Sequence, residues 1–243
     1  MAPGPGEHGA GGGGRRALTL AAAGAVAACC YSAYLVDAAV SPGHDWFAVV
    51  SRLQVPGAPL SGFLRTADVV CGLLVLVLLP FVATVAGRRR WRRVLVVATT
   101  AFAIGCAAAA LVPLPCEDIS RCGTGADLVQ WWVHDALSVV SQGGVFVGAA
   151  AVGLDTRRGG PAWLHRSAWA TVWVGGVLGT VLLGVTALVG PSSWEAGLAQ
   201  RFQISVTSLW ILCLGLMAAG AVRRRPAPDH GDTSDHGPWT MSG

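Results

Sequence analysis

The chain contains no lysine, and charged residues make up only 12% of its 243 positions. A soluble domain carries charge on roughly a quarter of its residues, because its surface must be hydrated. The shortfall excludes an ordinary water-soluble globule of this length. Charge is absent altogether from six apolar stretches, at 17–36, 69–86, 94–112, 136–154, 167–190 and 202–222. At about 1.5 Å rise per residue, some ~20 apolar residues cross the hydrocarbon layer of a bilayer. A helix also satisfies its own backbone polar groups there. The sequence therefore predicts an all-α polytopic membrane protein, a six-transmembrane-helix bundle.

Other absences narrow the reading. No small-residue cleavage site follows the first apolar run, which is about twice the length of a signal-peptide core, so it is expected to be a retained helix. Apart from Trp91, aromatic residues are not interleaved with the arginines as a base-stacking surface requires, so no nucleic-acid partner is expected despite a formal charge of +4. The lack of lysine beside abundant Ala, Gly, Val and Arg points to a G+C-rich genome, and hence to a bacterial plasma membrane. The Gly- and Pro-rich residues 1–16 and the polar residues 223–243 lack any apolar period and read as disordered termini. The transmembrane domain is then 17–222.

What is present is arginine, and its distribution is one-sided. Arg15 and Arg16 precede the first span; Arg88, Arg89, Arg90, Arg92 and Arg93 link spans two and three. Arg157, Arg158 and Arg166 link spans four and five, and Arg223, Arg224 and Arg225 follow span six. These are 13 of the 17 basic residues; the alternate side holds only Arg52, Arg65, Arg121 and Arg201. Basic residues are retained on the cytoplasmic side, so both termini are expected there. An even number of spans satisfies that orientation.

The connections expected outside differ in character. Residues 41–65 are long and semi-apolar, with Trp46, Phe47, Val49, Val50 and Leu53 suited to a short interfacial helix before a turn at Pro56–Pro59. Cys116 and Cys122 fall in an oxidising compartment under this topology, which favours a disulfide over a metal thiolate pair; their spacing matches no zinc motif. Small residues at helical spacing (Gly144 with Gly148, and Gly176, Thr180 and Gly184) predict close helix packing, and Pro80 a kink or a freed carbonyl in span two.

Ionisable groups gather at the same boundary. Asp68 opens span two, His134 and Asp135 open span four, and Gln200 and Arg201 precede span six. His134, Ser138 and Ser141 share one helical stripe. A polar stripe entering a membrane is expected to face the bundle interior, where it and Asp68 would form an outward-opening pocket. The expected ligand-binding residues are Asp68, His134, Ser138, Ser141, Gln200 and Arg201, the last suited to a phosphate or carboxylate. Asp37 and Glu195 are expected at headgroup depth.

The Pro56, Gly57, Pro59 turn followed by Asp68, then Cys116 and Cys122, His134, and the Gln200–Arg201 pair occur in an order that resembles the bacterial membrane family called domain of unknown function 998, over residues 18–222. The chain is also distantly similar to the Frag1/DRAM/Sfk1 group, associated with lipid organisation. The first resemblance implies the six-span architecture and no particular activity.

Three functions compete. The favoured one is a non-enzymatic membrane protein that binds a lipid headgroup or small ligand in the outward pocket, with no cofactor and no metal. A membrane-embedded lipid hydrolase would use His134 as base with Asp68 and Ser138, but only His44 and His134 lie outside, too few for a three-histidine zinc site. A secondary transporter would carry inverted repeats, of which FLRTA before span two and LHRSA before span five are the only trace.

Overall fold

The computed structural model describes residues 10–40, 48–189 and 194–224, and every regular element among them is helical. In order these are α1 (Ala10–Tyr31), α2 (Tyr34–Val40), a 3-10 turn (Val50–Gln54), α3 (Ser61–Val82), α4 (Arg89–Leu111), a second 3-10 turn (Ile119–Arg121) and α5 (Gly125–Thr156). Then α6 (Ala162–Ala170) passes through a π-helical segment (Thr171–Leu178) into α7 (Gly179–Val189), and α8 is Trp194–Arg223. Among the described residues, five helices are long and apolar enough to cross a membrane: Ser61–Val82, Arg89–Leu111, Gly125–Thr156, Ala162–Thr186 and Trp194–Arg223. The protein is an all-α polytopic membrane protein.

The first apolar run is divided. The backbone N–H groups of Ala33, Leu35 and Val36 bond carbonyls three residues back rather than four, which separates α1 from α2. Polar side chains hold this break against α8: the Ser32 hydroxyl donates to Ser208 Oγ at 2.7 Å, and the Tyr34 hydroxyl lies 3.1 Å from Ser205 Oγ. At its start α1 reaches back to Ala10, so Arg15 and Arg16 lie within it. Trp46 and Phe47 lie outside the described residues; of the expected interfacial helix, the described part is the 3-10 turn at Val50–Gln54.

Three helices begin well before their apolar windows. α3 starts at Ser61, α5 at Gly125 and α8 at Trp194, so Asp68, His134 and Arg201 sit inside helices rather than opening them. For α5 the cause is a capping box: Thr124 Oγ1 accepts from the Asp127 N–H at 3.2 Å and Asp127 Oδ2 from the Thr124 N–H at 2.9 Å. In α3, Arg65 is tolerated because its Nε donates to the Ala110 carbonyl at 2.7 Å, across to the end of α4. α3 runs through Pro80 and ends at Val82, so the donor that proline lacks falls in the last turn.

Lipid tails give apolar helices no hydrophobic reason to associate, so close approach at small residues carries the packing. A Cβ on Gly24 of α1 would lie 2.5 Å from the Gly215 Cα of α8, one on Gly72 of α3 2.6 Å from the Ala103 carbonyl of α4, and one on Gly144 of α5 2.5 Å from the Ala98 carbonyl of α4. These contacts order the helices as α8, α1, α3, α4 and α5, and α6 with the π-helical segment closes back from α5 to α8. α8 is the hub, with Trp210, Ile211 and Leu214 in the core beside Phe102, Val75 and Leu78. Ala162–Thr186 is peripheral, only 22% of its most apolar stretch being buried against 56% for α8.

The bundle has two distinct ends. At one, the Asp155 carboxylate accepts from the Gly87 and Arg88 N–H groups at 2.8 and 3.2 Å, tying the arginine-rich α3–α4 link to the end of α5. At the other, Cys116 and Cys122 are joined by a disulfide with their Cα atoms 5.6 Å apart.

Candidate functional site

A cavity of about 660 Å³ lies within the disulfide end of the bundle, a volume typical of small-ligand sites. Seven regions wall it. The α1–α2 break contributes Tyr31 and Tyr34, the 3-10 turn Val50, Ser51 and Gln54, and α3 Leu64 and Asp68. α4 adds Cys106 and Ala109, α7 Thr180 and Leu183, and α8 Gln200, Gln203 and Ile204. The longest wall is α5, which supplies Trp132, His134, Asp135, Ser138, Val139, Ser141, Gln142, Gly143 and Phe146. Of the residues expected from sequence, Asp68, His134, Ser138, Ser141 and Gln200 therefore line one space.

Arg201 does not line it. This side chain is buried, and its Nη1 donates to the carbonyls of Ala48 at 2.6 Å and Gly197 at 3.1 Å. Its guanidinium lies 5.7 Å from the centre of the Tyr34 ring, on the far side of the cavity wall. A helical step of about 100° separates adjacent residues, so Gln200 and Arg201 point in different directions. Arg201 thus anchors the chain before the 3-10 turn to α8. Gln200 anchors the turn itself, its Oε1 accepting the Val50 N–H.

His134 is held in one tautomer. Its Nδ1 lies 3.1 Å from the Ala109 carbonyl and 2.8 Å from that of Val112. Carbonyls only accept, so Nδ1 carries the hydrogen, and in the neutral ring Nε2 holds the lone pair. The ring thereby satisfies carbonyls left over at the end of α4. Ser141 makes a comparable link, its hydroxyl donating to the Phe102 carbonyl at 3.1 Å.

Asp68 has a neutral partner. The Gln54 Nε2 donates to its Oδ2 at 2.6 Å, and the Cys106 thiol donates to its main-chain carbonyl at 3.4 Å. Gln54 is thus a wall residue that sequence reasoning missed; it is a buried amide at the end of the 3-10 turn. A relay of hydrogen bonds runs from the cavity lining. Gln142 Nε2 donates to the Tyr31 hydroxyl at 2.5 Å and its Oε1 accepts from Thr207 at 3.2 Å, which joins α1, α5 and α8. Gln203 is committed to the π-helical segment and the start of α7, donating to the Gly175 carbonyl at 3.3 Å and to Thr180 Oγ1 at 3.0 Å. The widened turn presents a carbonyl that an α-helix would have used internally.

Arg52 pairs with Asp118 at 3.8 Å, linking the 3-10 turn to the disulfide loop. The Ser120 N–H and hydroxyl hold Asp118 below the ordinary carboxylate range, with Arg52 and Arg121 adding attraction. Asp37 is buried in α2 rather than exposed, and Glu195 sits in the first turn of α8.

Helices of this length define a multi-pass integral membrane protein, and the cavity with its few polar lining residues is a candidate ligand site. The chain belongs to the family described as "Protein of unknown function (DUF998)", which it matches over residues 20–217. No curated protein and no solved structure matches it.

Proposed function

We propose that this integral membrane protein binds a lipid headgroup or small polar ligand in the cavity at its disulfide end. In this reading the chain crosses a bacterial plasma membrane six times, α1 with α2 forming the first span. Both termini lie inside and the cavity faces outward. The orientation is supported by the positive-inside distribution of arginine and by the disulfide at the opposite end.

The observation that carries the ligand reading is the convergence of Asp68, His134, Ser138, Ser141 and Gln200 on one cavity within an otherwise apolar bundle. A few convergent polar groups set in mostly apolar walls are the usual form of a small-ligand site. The hydrolase alternative gains no support, because no hydrogen bond joins His134 to Ser138 among the described residues. Nor do any three His, Cys, Asp or Glu side chains among them group to hold a metal ion.

The test is native mass spectrometry of full-length protein extracted from its own membrane, with thermal melting in the presence of polar lipid extract. Wild-type protein should retain a bound molecule and be stabilised by the extract. Ser138→Phe, which fills the cavity from its α5 wall, should lose both. Equal retention by the filled variant would sink the reading.

A further inference from the structure

The cavity has a charge sign. Among the described residues two carboxylates line it, Asp68 and Asp135, and no arginine does. Four arginines fall in the segments of the disulfide end, and each is directed elsewhere. Arg52 faces Asp118, Arg121 faces Glu117 at 3.4 Å, Arg65 is bonded to the Ala110 carbonyl and Arg201 to those of Ala48 and Gly197. The hydrogen-bond donor that reaches the Asp68 carboxylate is the uncharged Gln54 amide. A carboxylate turned into a membrane cavity with a neutral partner leaves a cation's place open.

The rest of the lining fits the same sign. Tyr31, Trp132 and Phe146 bring aromatic rings to the space, and ring faces attract ammonium groups while offering nothing to a phosphate. The fixed tautomer of His134 matters here. With Nδ1–H given to main-chain carbonyls, Nε2 in the neutral ring is an acceptor. The Ser138 hydroxyl is a further acceptor in the same lining. A primary ammonium has three N–H donors and a positive charge, matching a carboxylate, an imidazole lone pair and a hydroxyl oxygen.

We infer that the cavity is selective for a protonated amine. Asp68 supplies the counter-charge, His134 and Ser138 accept its hydrogens, and the rings pack on its carbon side. This rests on the cavity being a ligand site at all. The same ammonium chemistry is offered by an ethanolamine-headed lipid and by a free amine, so both are to be presented.

Purified full-length protein in neutral detergent would be titrated with phosphatidylethanolamine, phosphatidylglycerol, free ethanolamine and glycerol phosphate, following bound mass and melting temperature. One equivalent of an amine-bearing probe should bind saturably, with a preference of about tenfold or more over its anionic counterpart, equivalent to ~1.4 kcal/mol. Binding of the lipid without free ethanolamine would identify the lipid headgroup as the source; binding of both would identify the amine alone as sufficient. Asp68→Asn should remove the preference, and Asp68→Glu, which keeps the charge, should restore most of it. Preference for the anionic probes, or an unchanged preference in Asp68→Asn, overturns the inference. If no amine binds while Ser138→Phe still expels the natively retained molecule, selectivity fails and the ligand site stands. If nothing is retained natively either, both fail.

Discussion

Arg201 and His134 share a mode of anchoring: each is a buried polar side chain that donates to a main-chain carbonyl of another segment. An unpaired carbonyl away from water is costly, and hydrogen bonds to charged groups contribute roughly 1.5–3 kcal/mol each. Arg201→Met should therefore lower the thermal stability of the purified protein by an amount of about that order. The loss should be equal with and without a bound ligand, since the guanidinium lies outside the cavity lining. A variant of unchanged melting temperature but weakened ligand retention would contradict this placement. In the sequence, Arg201 looked like an anion-binding group beside Gln200, because adjacency in sequence suggested adjacency in space. Helical geometry turned one toward the 3-10 turn and the other toward Ala48 and Gly197. The pairing of Asp68 with Gln54 was illegible for a related reason. It joins a helix to a loop residue, and no local periodicity encodes such a contact.

Apolar windows understate helix extents, because a window ends at the first charge, whereas a helix ends only where its backbone donors and acceptors find other partners. The Thr124–Asp127 capping box starts α5 well before the window at 136, and its T-x-x-D pattern is visible in the sequence. Glycine spacing was a better guide to packing in α5 than in α7. Gly144 closes on α4, with a Cβ there 2.5 Å from the Ala98 carbonyl, whereas a Cβ on Gly184 would meet nothing within 4 Å. Gly144→Ala should accordingly destabilise by roughly 1–3 kcal/mol through overpacking. Gly184→Ala should be neutral or slightly stabilising, alanine being the better helix former by about 1 kcal/mol. Thermal melting of the two variants in one detergent checks the contrast, and equal effects would contradict the packing. Nothing in the local pattern announced the π-helical segment at Thr171–Leu178. Its widened turn is matched by Gln203, which reaches the Gly175 carbonyl from another helix.

For the molecule as a whole, the proposed orientation makes a direct prediction. A fluorescent protein that matures only in the cytoplasm, fused after residue 243, should be bright in cells, and an alkaline phosphatase fused at the same point should be inactive. The opposite pair of results would invert the topology and place the cavity inside. Composition and arginine placement were enough to establish an all-α membrane protein and to define its two ends, because hydrocarbon admits so few backbone arrangements and so little charge. The paired cysteines were likewise legible, being close in sequence and in a segment distinct from the spans. Tertiary structure decided which polar residues meet. It gathered Asp68, His134, Ser138, Ser141 and Gln200 around one cavity from three helices, set Arg201 behind its wall, and excluded every arginine of that end from the lining. Those outcomes depend on the rotation of each helix about its axis and on side chains reaching across more than a hundred residues. The chain's own periodicity specifies which residues share a helix face, but only the packed neighbours determine what that face meets.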